Sequence, residues 1–386
     1  MGIIDRVAGL FGLERRAATE PSWAALSSGR GGHVVDPRAA ESIAAVMASV
    51  SAIATAISTM PVYIYRKRGQ DREDVFEHPL ADMVRYGPND FQTWPDLVES
   101  LLASTLLHGN GLLALDRERA LLQAIRFIPW PWVTVSVLPS GRIAYDVAEP
   151  DNPFGVRARR YRLLAHEVIH LKDRSDDGIV GRSRLSRGAD TVSAALTANA
   201  FTDRFFANGA TPSGAVTSEK ALSPEQMGMV RASMNERHRG VGNAGSVLVL
   251  SDGLKFTPFQ VSPEDAELLG TRRFSVEEIC RIFQVPPPIV QDLSHGTFTN
   301  SREAARWFSQ FTLTPWVKKL EAAFTRALFP PSSGLEIEFG MGGLLRADPE
   351  SRWASHKIAV DSGILTKNEV REIEGFNPLP EKEGMA

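Results

Sequence analysis

Residues 284–308 read QVPPPIVQDLSHGTFTNSREAARWF and combine a helix stop, a polar stretch and a helix start. Three consecutive prolines, Pro286–Pro288, cannot continue a preceding helix, because proline lacks a backbone N–H and restricts the residue before it. Asn300 followed by Glu303 is typical of a helix N-cap, so a second helix is predicted to begin at residue 300. Ser294 to Thr297 form a polar tip between the two helices. The segment therefore predicts a short loop held at both ends by helices.

The apolar residues that follow the loop keep helical spacing from residue 300 to residue 329. They include Ala304, Phe308, Phe311, Val317, Leu320 and Phe324. Pro315 lies inside this pattern, where it removes one backbone hydrogen bond and crowds the preceding turn. A bend in the helix is therefore predicted near Thr312 to Trp316.

Two helices separated by a small α/β module are predicted upstream of the prolines. The first helix runs from Ser186 to Phe206, and the second runs from Ser262 toward Val285. The module has three strands, SGAVTS, SVLVL and LKFTPF, of which the last two are predicted to pair as a hairpin. Its helix begins at Ser223, where proline and the glutamine of a capping box follow.

The N-terminal half carries both helical and strand patterns. Apolar residues spaced by three and four over 43–60 predict an amphipathic helix, and VYIY at 62–65 predicts a strand. A helical stretch covers 93–107, and HGNG at 108–111 predicts a loop. Residues 133–147 predict a β-hairpin, because alternating valines lead into a PSG turn and a returning strand.

The composition is that of an ordinary globular chain. It has 386 residues, of which 43% are apolar and 23% charged, and a net charge of −3. The length predicts two or three packed units. No long run of Lys or Arg occurs, which argues against a protein whose main task is to grip nucleic acid by charge. The single cysteine, Cys280, cannot form an internal disulfide, which is typical of a chain folded in a reducing cytoplasm, and we expect it to be a small buried hydrophobe.

We expect no contact with a membrane. The uncharged run 43–65 is rich in Ala, Ser and Thr, is broken by Pro61, and has the apolar spacing of a soluble helix. Asp5 and Arg6 do not fit a secretory or a myristoylation signal. Residues 1–34 are predicted to be a flexible N-terminal tail.

The sequence His166-Glu167-Val168-Ile169-His170 matches H-E-x-x-H, which on a helix presents two imidazoles to zinc and a glutamate as general base. Its β-branched centre and the LKDRSDDG that follows favour a strand, in which the two histidines lie about 13 Å apart. Asp173 and Asp176 stand where the extended motif has Gly and His, and Asp190 is the next carboxylate candidate. We therefore expect a strand with two partly exposed histidines and no metal.

Other catalytic motifs are missing from the sequence. It contains neither G-x-x-x-x-G-K-[ST], which cradles phosphates, nor G-x-S-x-G, which presents a nucleophilic serine. We predict no enzyme activity, no catalytic residue and no cofactor.

The order of these segments resembles phage portal proteins of the Hong Kong 97-like type. The likeness lies in HPLADMVRYGPNDFQTWPDLVESLL, the HGNG turn, EVIHLKDRSDDGIVGRSRL, FFANGATPSG, SPEDAELLGTRRFSVEEICRIFQVPP and LLRADPESRWASHKIAVDSGILTKNEVREIEGFNPLP, which together span roughly residues 40 to 380. Arg184 is a departure, because such sequences often carry proline there, after G-x-S. This leaves the start of the following helix open.

The resemblance implies an α+β fold, mainly helical, with the wing, stem, clip and crown of a portal. The implied parts are a wing (35–184), a first stem helix (185–210), a clip (211–260), a second stem helix (261–285), a tunnel loop (286–299), a kinked wing helix and strand (300–340) and a crown (341–386).

The implied function is a ring, usually of twelve subunits, at one capsid vertex, through which double-stranded DNA is packaged and ejected without sequence recognition. The implied partners are the large terminase subunit, the head–tail adaptor and the major capsid protein, in a virion made in the bacterial host cytoplasm. The tunnel loop would line the DNA channel with Gln291, Asp292, Ser294, His295, Gly296, Thr297 and Thr299, next to the helix kink at Pro315.

Two alternatives stay open on the sequence. One is a zinc metallopeptidase that uses the H-E-x-x-H motif. The other is a head–tail adaptor or minor capsid protein.

Overall fold

The computed structural model describes residues 35–68, 71–119, 121–151, 157–207, 214–218, 223–229, 232, 254–258, 275–293, 298–342, 349–374 and 376–379. Within these ranges the α-helices are α1 (Pro37–Glu41), α2 (Ala44–Ser58), α3 (Pro79–Tyr86), α4 (Trp94–His108), α5 (Arg184–Arg187), α6 (Ala189–Ala207), α7 (224–229), α8 (275–283), α9 (Phe298–Trp307), α10 (Thr314–Leu328), α11 (Pro349–Asp361) and α12 (Lys367–Ile373). The strands are β1 (Val62–Arg68), β2 (Asp71–Asp74), β3 (Asn110–Glu118), β4 (Leu121–Ile128), β5 (Val133–Val137), β6 (Ile143–Glu149), β7 (Arg159–Leu164), β8 (Val168–Lys172), β9 (Gly214–Ser218), β10 (Leu254–Pro258) and β11 (Leu335–Phe339).

The described strands form four small antiparallel sheets. Their strand orders are β11-β1-β2, β4-β3-β8, β5-β6-β7 and the pair β9-β10. Helices and sheets follow one another along the chain, so the α+β class predicted from the sequence is confirmed.

The main core joins helices α2, α4, α8 and α10 to the β11-β1-β2 sheet. Val46, Ile53 and Ile57 on α2 are fully buried, which confirms the predicted apolar stripe of this helix. Phe324 on α10 and Phe339 on β11 close the same core from the other side. A second core, which includes Leu112, Val135, Tyr145 and Val168, lies between the β4-β3-β8 and β5-β6-β7 sheets.

Helix α4 shows how local signals set the boundaries of an element. The Thr93 hydroxyl and the Asp96 carboxylate accept from each other's backbone N–H and form a capping box at its start. Gly109 ends it in the left-handed region with φ of 82°, where a Cβ would lie 2.5 Å from the Ser183 nitrogen. The chain enters β3 at Asn110, so the loop predicted for HGNG is wrong except at Gly109. One left-handed residue is enough to turn the chain.

The predicted hairpin at 133–147 is confirmed, with Val133 opposite Val147 and Val137 opposite Ile143. In the predicted clip, β9 pairs with β10, and Ser223 and Gln226 form the predicted capping box. The SVLVL strand lies outside the described residues.

The first predicted stem helix starts in two pieces, α5 and α6. Gly188 separates them, and a Cβ on Gly188 would lie 2.4 Å from the Ile282 side chain on α8. A larger residue at this position would therefore push the end of the Ile282 side chain aside. Arg184 opens α5, and the preceding Ser183 hydroxyl caps it by accepting from the Leu185 N–H at 3.1 Å.

Candidate DNA-channel segment

The channel segment, residues 284–312, starts where α8 ends in a Schellman cap. Gln284 adopts the left-handed conformation with φ of 61°, and its N–H donates to the Arg281 carbonyl at 3.2 Å. The Val285 N–H reaches back to the Cys280 carbonyl at 2.9 Å. The α-helix ends at residue 283, slightly before Val285, because the left-handed Gln284 turns the chain before the prolines are reached. Cys280 is buried, as expected, and burial raises the pKa of its thiol to about 11.

The prolines themselves form a tight turn. Pro287–Val290 is a 3₁₀-helix, and Gln291 ends it in the left-handed region with φ of 65°. The Gln291 N–H donates to Pro288 O at 3.2 Å, and the Asp292 N–H donates to Pro287 O at 3.0 Å. The predicted loop 286–299 therefore begins with a 3₁₀ turn, because proline fixes φ in the range that such a turn uses.

The predicted channel residues occupy three different settings. Gln291 is exposed and Asp292 half-buried at the end of the 3₁₀ turn. Ser294, His295, Gly296 and Thr297 lie outside the described residues. Thr299 lies in the first turn of α9, because this helix begins at Phe298 and not at the predicted Asn300. Each residue added to a formed helix gains a backbone hydrogen bond, which here outweighs the local cap signal.

The helix after the loop runs from Phe298 to Leu328, with a π-helical stretch at Phe308–Leu313. The Thr314 N–H donates to the Ser309 carbonyl, five residues back, and the Thr314 hydroxyl donates to the same oxygen at 2.9 Å. Pro315 follows, where a regular α-turn would force its ring against the Phe311 carbonyl. A wider π-turn relieves that clash, so the irregular turn and Pro315 belong together. The predicted bend itself stays a prediction.

A groove of about 920 Å³ runs between the two sides of the segment. Residues 284–288 line one wall, and the other wall is formed by α9 and the π-turn. The Trp307 and Phe311 rings are in tilted contact there with centroids 5.4 Å apart, while 43% and 52% of the two residues stay exposed. The groove therefore exposes two aromatic side chains to solvent next to the proline turn.

The H-E-x-x-H motif does not form a helix. Residues 165–167 are a 3₁₀ turn, and β8 begins at Val168, so the predicted strand is confirmed for the second half. Glu167 accepts from the Leu164 N–H at 3.0 Å and thereby closes the turn. His166 is exposed, and His170 is half-buried in the strand. The metallopeptidase alternative requires both imidazoles on one face of a helix, and the structure does not present them in this way.

His170 has a complete set of partners inside the fold. The Asn110 Oδ1 accepts from the Gly181 N–H at 2.7 Å, so it can also accept from Nε2–H of His170 at 3.0 Å. The Tyr145 hydroxyl then donates to Nδ1 at 3.1 Å, and Trp130 stacks on the imidazole with ring centroids 5.3 Å apart. Burial, with help from the Lys172 charge, lowers the pKa of His170 to about 3. The residue is a neutral hydrogen-bonding centre between the two small sheets.

The described residues offer neither a cluster of metal ligands nor a helix that could span a membrane. No group of three His, Cys, Asp or Glu side chains in these residues is close enough to hold a metal ion. None of the helices there combines the length and apolar composition needed to cross a bilayer.

Residues 44–375 match the family model for phage portal protein. The chain belongs to that family. A probable portal protein of Streptomyces phage phiC31 is 30% identical over 385 residues, which cover 96% of this chain and 83% of that protein. The portal protein of Enterobacteria phage HK97 is 29% identical over 345 residues, which cover 88% of this chain and 80% of that protein.

A chain of similar fold is present in the solved structure of a gene transfer agent particle. A chain in the neck of a native gene transfer agent particle, computed with C12 symmetry, is 25% identical, with a TM-score of 0.56. The match covers 92% of this chain and 98% of that chain. The predicted family and fold are thus confirmed. The portal family is a structural one whose members are virion components and provide the DNA channel at a capsid vertex.

Two residues that hold this segment carry no clear signal in the sequence. Arg184 and Thr312 donate side-chain hydrogen bonds to the carbonyls at the end of α8. In the sequence Arg184 stands out only as a departure from the family pattern. Thr312 carried no signal, because a threonine inside an apolar helix is ordinary.

Proposed function

We propose that this chain assembles into a twelve-membered ring in which the segment 291–299 lines the channel that double-stranded DNA passes through. The observation that carries the proposal is the frame around the loop. Gln284 and Gln291 cap two successive turns on one side, and a continuous helix from Phe298 holds the other side. A short connection between fixed supports can project into a bore and move while its supports stay packed.

A ring of identical subunits needs a head-to-tail contact that closes by rotation. The C12 symmetry of the related gene transfer agent neck supports a count of twelve. We assign the groove beside Trp307 and Phe311 to the contact with the neighbouring subunit, because an apolar surface of this kind is costly to leave in water.

The charge of the chain favours sliding over capture. Twelve subunits with a net charge of −3 each give the ring about −36. A net negative charge of this size disfavours tight capture of phosphate by the assembly as a whole, which is compatible with a duplex that passes without sticking.

The same proposal includes the partners of the ring. The module at 211–260 would face the large terminase subunit during packaging and the head–tail adaptor afterwards. The wing would contact the major capsid protein, in a particle assembled in the bacterial host cytoplasm. These roles rest on the order of the parts in the family.

Two experiments test the proposal. Electron microscopy of the purified chain, viewed down the symmetry axis, should show a ring whose bore admits a duplex, with residues 291–299 at the bore. A monomer, or a ring with these residues buried away from the bore, would contradict it.

The second experiment concerns the loop itself. Deletion of Ser294–Thr297 should leave ring assembly intact and impair DNA packaging or retention in particles. Replacement of the same residues by Gly-Ser-Gly-Ser is the matched control, because it keeps the length and polarity of the connection. Normal packaging by the deletion variant would remove the loop's proposed role.

A further inference from the structure

The last carbonyls of α8 lack donors from their own helix, as at every helix end. The Schellman cap uses the Cys280 and Arg281 carbonyls. The next three carbonyls are bonded by side chains from elsewhere in the chain. Nη1 of Arg184 donates to Ile282 O at 3.3 Å and to Phe283 O at 2.9 Å, and the Thr312 hydroxyl donates to Gln284 O.

Arg184 contacts two further segments from the same position. Its Nε donates to the Asp173 carboxylate at 2.9 Å, just after β8, and both side chains are nearly buried. Its guanidinium carbon lies 5.2 Å from the centre of the Trp316 ring on α10. A planar guanidinium can bond a carboxylate and two carbonyls while it stacks on an aromatic ring, which a lysine ammonium cannot do.

Thr312 makes the matching contact from the other side of the loop. It lies in the π-turn and is almost fully buried. Its hydroxyl reaches Gln284, the left-handed residue at which α8 ends. The chain leaves this point at residue 284 and returns to it at residue 312. The two ends of the channel segment therefore meet at one junction, which is the contact between Gln284 and Thr312.

We propose that Arg184 and Thr312 are positioning residues of the channel, which lock the end of α8 to the π-turn so that both supports of the loop move as one body. The structural part stands on these contacts alone. Its consequence for DNA rests on the proposed function. If the end of α8 and the π-turn moved relative to each other, the loop would be displaced from its position in the channel. A locked junction confines movement to the loop itself.

Thr312→Val tests the junction with the least disturbance, because it keeps shape and removes only the donor. The test is hydrogen exchange of the purified chain in whatever assembly state it adopts, compared between variants in the same state and read at the amides of residues 285–292. Four of these amides donate backbone hydrogen bonds, namely Val285, Ile289, Gln291 and Asp292. A buried acceptor that loses its donor destabilises its surroundings, so we expect exchange to become about tenfold faster there and to stay unchanged in the β5–β6 hairpin.

Two controls separate the junction from a general loss of stability. Thr105→Val removes an equally buried hydroxyl, but that hydroxyl donates at 2.7 Å to Leu101 O in its own helix. It should leave exchange at residues 285–292 unchanged. Thr312→Ser keeps the donor and should restore the slow exchange. Wild-type exchange in Thr312→Val, or equal acceleration in Thr105→Val, would overturn the junction.

Arg184→Lys carries the test to function. It keeps a positive charge beside Asp173, so the fold is retained, but it cannot bond both carbonyls and stack on Trp316. Rings should form normally and show faster exchange at residues 285–292, and particles should lose packaged DNA more readily. Faster exchange with undiminished DNA retention would overturn the positioning role. Failure of the wild-type chain to form rings or package DNA would instead refute the proposed function and leave the exchange result standing.

Discussion

Phe311→Asp tests whether a neighbouring subunit covers the groove beside the channel segment. Phe311 is 52% exposed at the edge of the groove. A phenylalanine side chain buries about 150–250 Å² when it is fully covered, so covering the exposed half removes about 100 Å² from water. At about 25 cal/mol per Å² this area contributes about 2.5 kcal/mol to each contact between subunits. A carboxylate at this position loses that contribution and adds a charge that must be desolvated.

Since about 1.4 kcal/mol corresponds to a factor of ten, Phe311→Asp should raise the concentration needed for ring assembly by about 70-fold or more. Sedimentation velocity across a dilution series measures that concentration. Phe311→Leu is the matched control, because it keeps most of the apolar area, and its rings should form close to the wild-type concentration. Circular dichroism of the monomer checks the fold. Assembly of Phe311→Asp at the wild-type concentration would show that no neighbour covers this surface.

Three further predictions concern single residues. Arg162 Nε lies 2.7 Å from Asp146 Oδ1, and both side chains are buried. Arg162→Leu leaves the Asp146 charge without this partner, so the free energy of unfolding, measured by urea denaturation, should fall by about 3–5 kcal/mol. A loss below about 1 kcal/mol would contradict this. In the folded chain the pKa of His170 is lowered to about 3, below its unfolded value, so the unfolded state takes up the proton first. The free energy of unfolding should therefore fall by about 1.4 kcal/mol per pH unit as the pH drops from about 6.5 toward 3. His170→Gln should lose this part of the pH dependence. Pro315→Ala restores an N–H that favours a regular α-turn, so a ring map should show a straighter helix and a displaced loop, and an unchanged π-turn would refute the link.

Short-range signals were sufficient for most of the elements. The spacing of apolar residues predicted α2, α4 and the helix to Leu328, and the alternation of valines predicted the β5–β6 hairpin. Ser223 and Gln226 predicted a capping box that the structure contains. These features depend on residues within a few positions of one another, which a sequence displays directly.

The junction could not be predicted in this way. Gln284 and Gln291 adopt the left-handed conformation that usually marks glycine or asparagine, so turn chemistry gave no sign of either cap. The partners Arg184 and Thr312 are remote in sequence from α8 or separated from it by the loop. Contacts between distant segments are set by packing, which a single sequence does not display.

The number of residues between the proline turn and α9 limits how the loop can act. The turn closes with the Asp292 N–H, and helix α9 begins at Phe298. Six Cα–Cα steps join these residues, so a path that goes out and returns extends about 10 Å at most from its two supports, whatever its conformation. On the proposed function, a loop of this reach would narrow the bore or close on a passing duplex and would not follow DNA along the axis. Its contribution therefore depends on where the supports stand, and the carbonyls held by Arg184 and Thr312 fix that position.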